Sequence, residues 1–168
     1  MIRILSMTAI VVMIFLTMAP AISAEEEHEG ADAFHRHHAA LIAGGTFDEH
    51  GGSGLSIGAD YEYRFNRRWG LGGLLEYAGG DFEHVLLGIP IFFHPNEHWL
   101  LVLAPATEVH KDEAHDERKR DWVVRGSVAY QFHFGDGYSV SPVFNVDVSE
   151  HETLYVAGLA LGFGWQNP

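Results

Sequence analysis

From Leu154 to Trp165 the chain alternates without a slip: Tyr155, Ala157, Leu159, Leu161, Phe163 and Trp165 share one parity, and Leu154, Val156, Gly158, Ala160, Gly162 and Gly164 the other. Successive side chains of a strand point to opposite faces, so the segment predicts a strand with a large apolar face and a face of small residues. The same pattern sets Leu55, Ile57, Ala59, Tyr61, Tyr63 and Phe65 against Ser56, Gly58, Asp60, Glu62 and Arg64. Further on, Trp122, Val124, Gly126, Val128, Tyr130, Phe132 and Phe134 oppose Arg125, Ser127, Gln131 and His133. Tyr138, Val140, Pro142, Phe144, Val146 and Val148 oppose Ser139, Ser141, Asn145 and Asp147. Segments near 38–48, 54–66, 69–78, 83–93, 98–109, 121–134, 138–149 and 153–165, divided by Gly, Asn, Asp and charged residues, predict an all-β meander.

A soluble sandwich also alternates, but its polar face meets water and carries many Lys and Glu. Here the minor face is small with a few charges of both signs, which suits the packed interior of a barrel whose exterior meets hydrocarbon. The predicted fold is an eight-stranded antiparallel up-and-down transmembrane β-barrel. The links around Asn66-Arg67-Arg68, Pro95-Asn96-Glu97 and Gly135-Asp136-Gly137 are brief, whereas the intervening ones are richer in charge. His110 to Arg120 is the longest link expected. Short periplasmic turns and longer external loops would place both termini in the periplasm of a cell with an outer membrane. Aromatic residues gather towards predicted strand ends, as at Phe47, Tyr63, Trp69, Trp99, Trp122, Tyr155 and Trp165, where interfacial girdles belong. Pro90, Pro105 and Pro142 fall inside strands, so local bulges are expected there. The first strand, around Ala39 to Gly45, has no clear inward parity.

Arg3, the apolar run Ile4 to Met18 and the small residues Ala19 to Ala24 read as a secretory signal peptide, 1–24, cleaved after Ala24 or at Ala21. An acidic, His-rich periplasmic leader over 25–37 and a barrel over 38–168 follow. The apolar run is shorter than the roughly 20 residues of a spanning helix. Loss of Arg3 from the 10 basic residues leaves nine against 23 acidic ones, a net charge of −14 with His neutral, which argues against nucleic-acid binding. No cysteine is present, so disulfide and thiol chemistry are excluded.

With this parity, Asp60, Glu62, Arg64, Glu76, Glu108, Arg125 and Asp147 enter a lumen that eight strands leave just wide enough for side chains. Buried charges persist when paired, so Arg64 and Arg125 are expected among carboxylates. A structural charge network is the preferred reading over a proton or ion path, and a general diffusion pore is not expected.

The chain has 12 histidines, and each predicted outer loop holds at least one close to acids. The predicted outer loops hold Glu49-His50, Glu83-His84, His110 with His115, and Glu150-His151-Glu152, and closure of a barrel would bring these loops near one another. Two readings stand: solvated polar loops, or a divalent-metal site for zinc or copper built from imidazole and carboxylate. Acidic loops also suit calcium or magnesium bridging to lipopolysaccharide. No cofactor is required by any motif. A second His-acid cluster, Glu25 to His28 with His35 to His38, lies in the leader. Asp147, Ser149, Glu150 and His151, with Ser53 and His84 on other loops, supply the residue types of a hydrolytic group, but spacing alone does not bring them together.

Across its mature region the chain resembles the small eight-stranded outer-membrane barrels, such as the transmembrane domain of outer membrane protein A and opacity-type proteins. The resemblance rests on the signal peptide, the strand Gly58-Ala59-Asp60-Tyr61-Glu62-Tyr63-Arg64-Phe65 and the strand Gly158 to Trp165. It implies outer-membrane lipid, lipopolysaccharide and the outer-membrane assembly machinery as partners, and a monomer. Members often end on an aromatic residue, whereas here Gln166, Asn167 and Pro168 follow Trp165. The expected role is a non-enzymatic one in envelope structure or surface interaction. A lipid A-modifying enzyme and a soluble periplasmic lipid-binding barrel are the alternatives.

Overall fold

The computed structural model describes residues 35–112 and 117–166. The proposed signal peptide and most of the leader, with His28, His115 and Asp116, lie outside the described residues. The strands are β1 (His37–Asp48), β2 (Ser53–Arg64), β3 (Trp69–Ala78), β4 (His84–Gly88), β5 (Ile91–Phe93), β6 (Trp99–Asp112), β7 (Glu117–Tyr130), β8 (Phe132–Phe134), β9 (Tyr138–Val148) and β10 (Thr153–Trp165). β4 and β5 continue one wall between β3 and β6, and β7 with β8 another beside β9, so these segments build eight antiparallel walls. The ring closes where β1 pairs with β10, from His37 opposite Trp165 to Asp48 opposite Leu154. Closure leaves no edge along the body of the sheet.

Parity decides burial as the sequence predicts. On β2, Ser56, Gly58 and Glu62 are buried while Leu55, Ile57 and Tyr61 are exposed, and β10 buries Leu154, Val156, Ala160, Gly162 and Gly164. β1 proves equally regular: His38, Ala40, Ile42 and Thr46 point inward and Leu41, Ala43 and Phe47 outward. Its inward face was hidden because alanine and glycine occupy both parities. At β8 the lumen has ended, and Phe132, His133 and Phe134 are all exposed.

The prolines make gaps in the ladder instead of the expected bulges. Leu74 opposes Gly88 and Leu71 opposes Ile91, so β3 keeps its register across Pro90. Gly72 still donates its N–H to the Pro90 carbonyl at 3.0 Å, and Ile89 donates to the Pro105 carbonyl at 3.0 Å. A residue in an antiparallel ladder directs its N–H and C=O to the same neighbour, so each proline forfeits one hydrogen bond of a pair and no extra residue is needed. Near Pro142 the pairing with β9 stops at Ala129 opposite Val143 and resumes at Phe132 opposite Val140, while β9 and β10 pair without interruption.

The expected long link from His110 to Arg120 is also different. β6 and β7 stay paired to Asp112 opposite Glu117. β4 begins opposite His110 and β9 meets β7 only from Val124, so the hairpin runs on beyond both neighbours as a two-stranded ribbon. Charged residues read as a loop, yet a ladder of backbone hydrogen bonds does not require an apolar face once the strands leave the core.

Aromatic rings collect at the end of the short turns. Trp165 stacks on His37, Trp69 lies against Phe93, Trp99 and Phe132 flank Tyr130, and Tyr138 joins Phe134 to Phe163. The loop end has fewer: Phe47, Tyr77, Trp122 and the Phe144–Tyr155 pair.

Candidate functional site

Inside the barrel the side chains form alternating polar and apolar layers. In the middle, Arg125 of β7 is 2% exposed and carries two carboxylates. Its Nη1 and Nη2 donate to Glu76 at 2.8 and 2.7 Å, and its Nε and Nη2 donate to Asp147 at 2.6 Å each. Two carboxylates on one guanidinium, all hydrogen-bonded, is an arrangement in which buried charge persists. Asp60 and Arg125 line a cavity of about 40 Å³ beside this triad. The buried His38 Nε2, Ser139 Oγ and Asn145 Nδ2, which have no hydrogen-bond partner among the described residues, belong to residues lining the same cavity. Its volume accommodates about three water molecules at 10–15 Å³ each, far below the ~300 Å³ and more of a small-molecule pocket.

Towards the turn end, Glu62 is fully buried and accepts hydrogen bonds from Arg64 Nε at 3.0 Å and pairs with His94 Nε2 at 2.8 Å. Gly70 makes room for it: a Cβ there would overlap the Glu62 carboxylate. Phe92, Leu100, Val102 and Ala129 form one apolar layer, and Leu74, Leu86, Ala106 and Val123 another. Thr46 and Ser56 hydrogen-bond to each other through their hydroxyls.

Towards the loop end, His84, Glu108 and His110 meet. His84 Nδ1 lies 3.4 Å and His110 Nδ1 3.6 Å from Glu108 Oε1, and His110 Nδ1 is also 3.6 Å from Asp121 Oδ2. The expectation that His84 and His110 belong to the outer loops is corrected here: both lie on strands, opposite one another on β4 and β6, and His84 is buried in the lumen. Inward parity fixes this, since His110 is two residues beyond the inward-facing Glu108. Glu49, His50, Glu83, Glu150, His151 and Glu152 are exposed. The Asp48 carboxylate accepts the N–H groups of His50 and Gly52, and Glu49 accepts the Tyr155 hydroxyl at 3.3 Å. Among the described residues, no three His, Asp or Glu side chains are drawn tightly enough to hold an ion as they stand.

Of the two serines in the hydrolytic alternative, Ser149 is committed elsewhere. Ser149 Oγ accepts the N–H groups of His151 and Glu152 and donates to the Glu152 carbonyl, which makes it the cap of a tight loop.

No protein-family model matches this chain, and no curated protein matches it at a significant level. Solved structures do. The N-terminal β-barrel domain of Pseudomonas aeruginosa OprF is similar over 78% of this chain and 98% of that one, at 12% identity and a TM-score of 0.61. Neisserial surface protein A is similar over 77% and 96%, at 8% identity and a TM-score of 0.53. Ail, the attachment invasion locus protein of Yersinia pestis, is similar over 76% and 95%, at 12% identity and a TM-score of 0.51. The fold is that of the small eight-stranded outer-membrane barrels.

Within such a barrel, Gln131, Ser139, Ser141 and Asn145 are buried on the inward face that the sequence predicts for them, and the polar interior extends further, to His38 and His94. For His94 the signal was present, since it continues the parity of the inward Phe92 past the strand end. For Asp121 it was the pairing with Glu108 across β6 and β7, which needs the register and not the sequence alone.

Proposed function

We propose that this chain is a non-enzymatic outer-membrane barrel with a role in envelope structure or surface interaction, with its short turns and both termini on the periplasmic side. The observation that carries the reading is the outer surface. Leu55 is 79% exposed, Leu41 65%, Ile57 64%, Leu161 61% and Leu159 57%. With Leu75, Leu87, Ile91, Val124 and Phe144 on other walls, they give an apolar exterior with aromatic rings towards its ends, as expected of a barrel in lipid. A monomeric soluble protein rarely exposes an apolar patch of more than a few hundred Å². The filled lumen supports neither a diffusion pore nor a carrier of an acyl chain.

Membrane fractionation with heat-modifiable gel migration tests the location. Recovery in the outer-membrane fraction as a species whose mobility changes on boiling supports it. A folded protein that stays dissolved without detergent overturns it. Lipid A mass spectra from cells with and without the protein test the absence of catalysis, and a changed profile would point to the enzyme alternative.

A further inference from the structure

We propose that His84, Glu108, His110 and Asp121 form a divalent-metal site, suited to zinc, inside the loop end of the lumen. β4, β6 and β7 place the four together. His84 stands opposite His110, and Glu108 opposite Asp121. In an antiparallel pair, opposed residues share a face, and Glu108 and His110 share parity on β6, so two imidazoles and two carboxylates point to one place.

Three contacts within the set are longer than hydrogen bonds and near the separation of metal ligands, and a side-chain rotation is needed to draw the whole set together. N–H···O bonds close to about 2.7–3.2 Å, whereas these contacts are 3.4, 3.6 and 3.6 Å. Tetrahedral zinc, with bonds of about 2.0–2.1 Å, separates its ligand atoms by roughly 3.3–3.4 Å. Among the described residues, His110 Nδ1 is a buried nitrogen with no hydrogen-bond partner, and it lies near the carboxylates of Glu108 and Asp121. Asp121, Asp147 and Glu152 also lie within electrostatic range of Glu108, while Arg125 is engaged by Glu76 and Asp147. A dication would offset the charge of the Glu108 and Asp121 carboxylates. Lys119, opposite His110 at the open rim, is exposed. His110 and Asp121 have side-chain exposures of 30% and 35%, which leaves room for the torsional change that completes the shell.

The site lies within the barrel and does not depend on what surrounds it, so its failure would leave the fractionation result untouched. The test is calorimetric titration of zinc into the full chain folded in detergent micelles, with heat-modifiable migration confirming the fold. The parent should bind one ion that Glu108→Gln and His84→Ala each weaken by about ten- to a hundredfold, no less than loss of an outer-shell partner of a metal. A His50→Ala/His151→Ala variant should keep that ion. Glu108→Gln is nearly isosteric and decides the matter if His84→Ala fails to fold. Zinc binding of equal stoichiometry and affinity in the parent, Glu108→Gln and His84→Ala, or no zinc binding by the parent, overturns the proposal.

Discussion

Arg125 on β7 holds both carboxylate oxygens of Glu76 on β3, although those strands share no ladder. The contact spans the lumen and, with Asp147, ties three walls through one side chain.

Removing that side chain strands two buried carboxylates. Arg125→Met is expected to destabilise the barrel by about 3–5 kcal/mol, the cost of breaking a buried pair from one side. The triple variant Arg125→Met/Glu76→Gln/Asp147→Asn should recover most of it, because no unpaired charge remains. Urea unfolding in lipid vesicles measures both, and a triple variant no more stable than the single would refute the account.

Gly70 and Gly73 should respond oppositely to a methyl group. At Gly70 the added Cβ meets the Glu62 carboxylate, while at Gly73 nothing lies within 4 Å. Gly70→Ala is expected to cost about 1–3 kcal/mol as an overpacked site, and Gly73→Ala to stay within about 0.5 kcal/mol. The same unfolding experiment separates them.

A charge on the outer belt reports what wets it. Leu159→Arg should cost about 2–4 kcal/mol in a bilayer, against about 0.5 kcal/mol or less for an exposed site in water. Glu150→Arg, in the exposed loop after β9, serves as the neutral control. Equal stabilities for the two variants in vesicles would contradict a lipid-facing Leu159.

Pro90→Ala supplies an N–H opposite the Gly72 carbonyl, whose own amide already bonds Pro90 at 3.0 Å. The gain of roughly 0.5–1.5 kcal/mol from the hydrogen bond is offset by about 0.4–1 kcal/mol from the looser unfolded chain, so stability should change little. Hydrogen exchange should nevertheless find the new amide protected. Rapid exchange there would mean that the gap is a bulge after all.

Period-two alternation made the walls legible because each face has a single environment: Leu55 and Leu159 cannot turn inward without turning Asp60 and Ala160 outward. It failed where size carried no contrast, as in Ala39 to Gly45, and where charge was taken for a loop, as from His110 to Arg120. The lumen charges were legible as a set, but which would meet was not. Arg125 reaches Glu76 and Asp147 from different walls, a pairing fixed by barrel geometry. His84 was assigned to the rim because acids precede it and because Val85, Leu86 and Leu87 put apolar residues on both parities.

The ribbon that β6 and β7 extend beyond their neighbours leaves seven residues of β7, Glu117 to Val123, with no partner strand on the β9 side. Bare backbone of this kind is a template for another chain. Its sequence is Glu-Arg-Lys-Arg-Asp-Trp-Val, five charges in succession before anything apolar, so an incoming strand would have to desolvate charge along most of its length. Crowded copies of the molecule can therefore hold these tips side by side without zipping together.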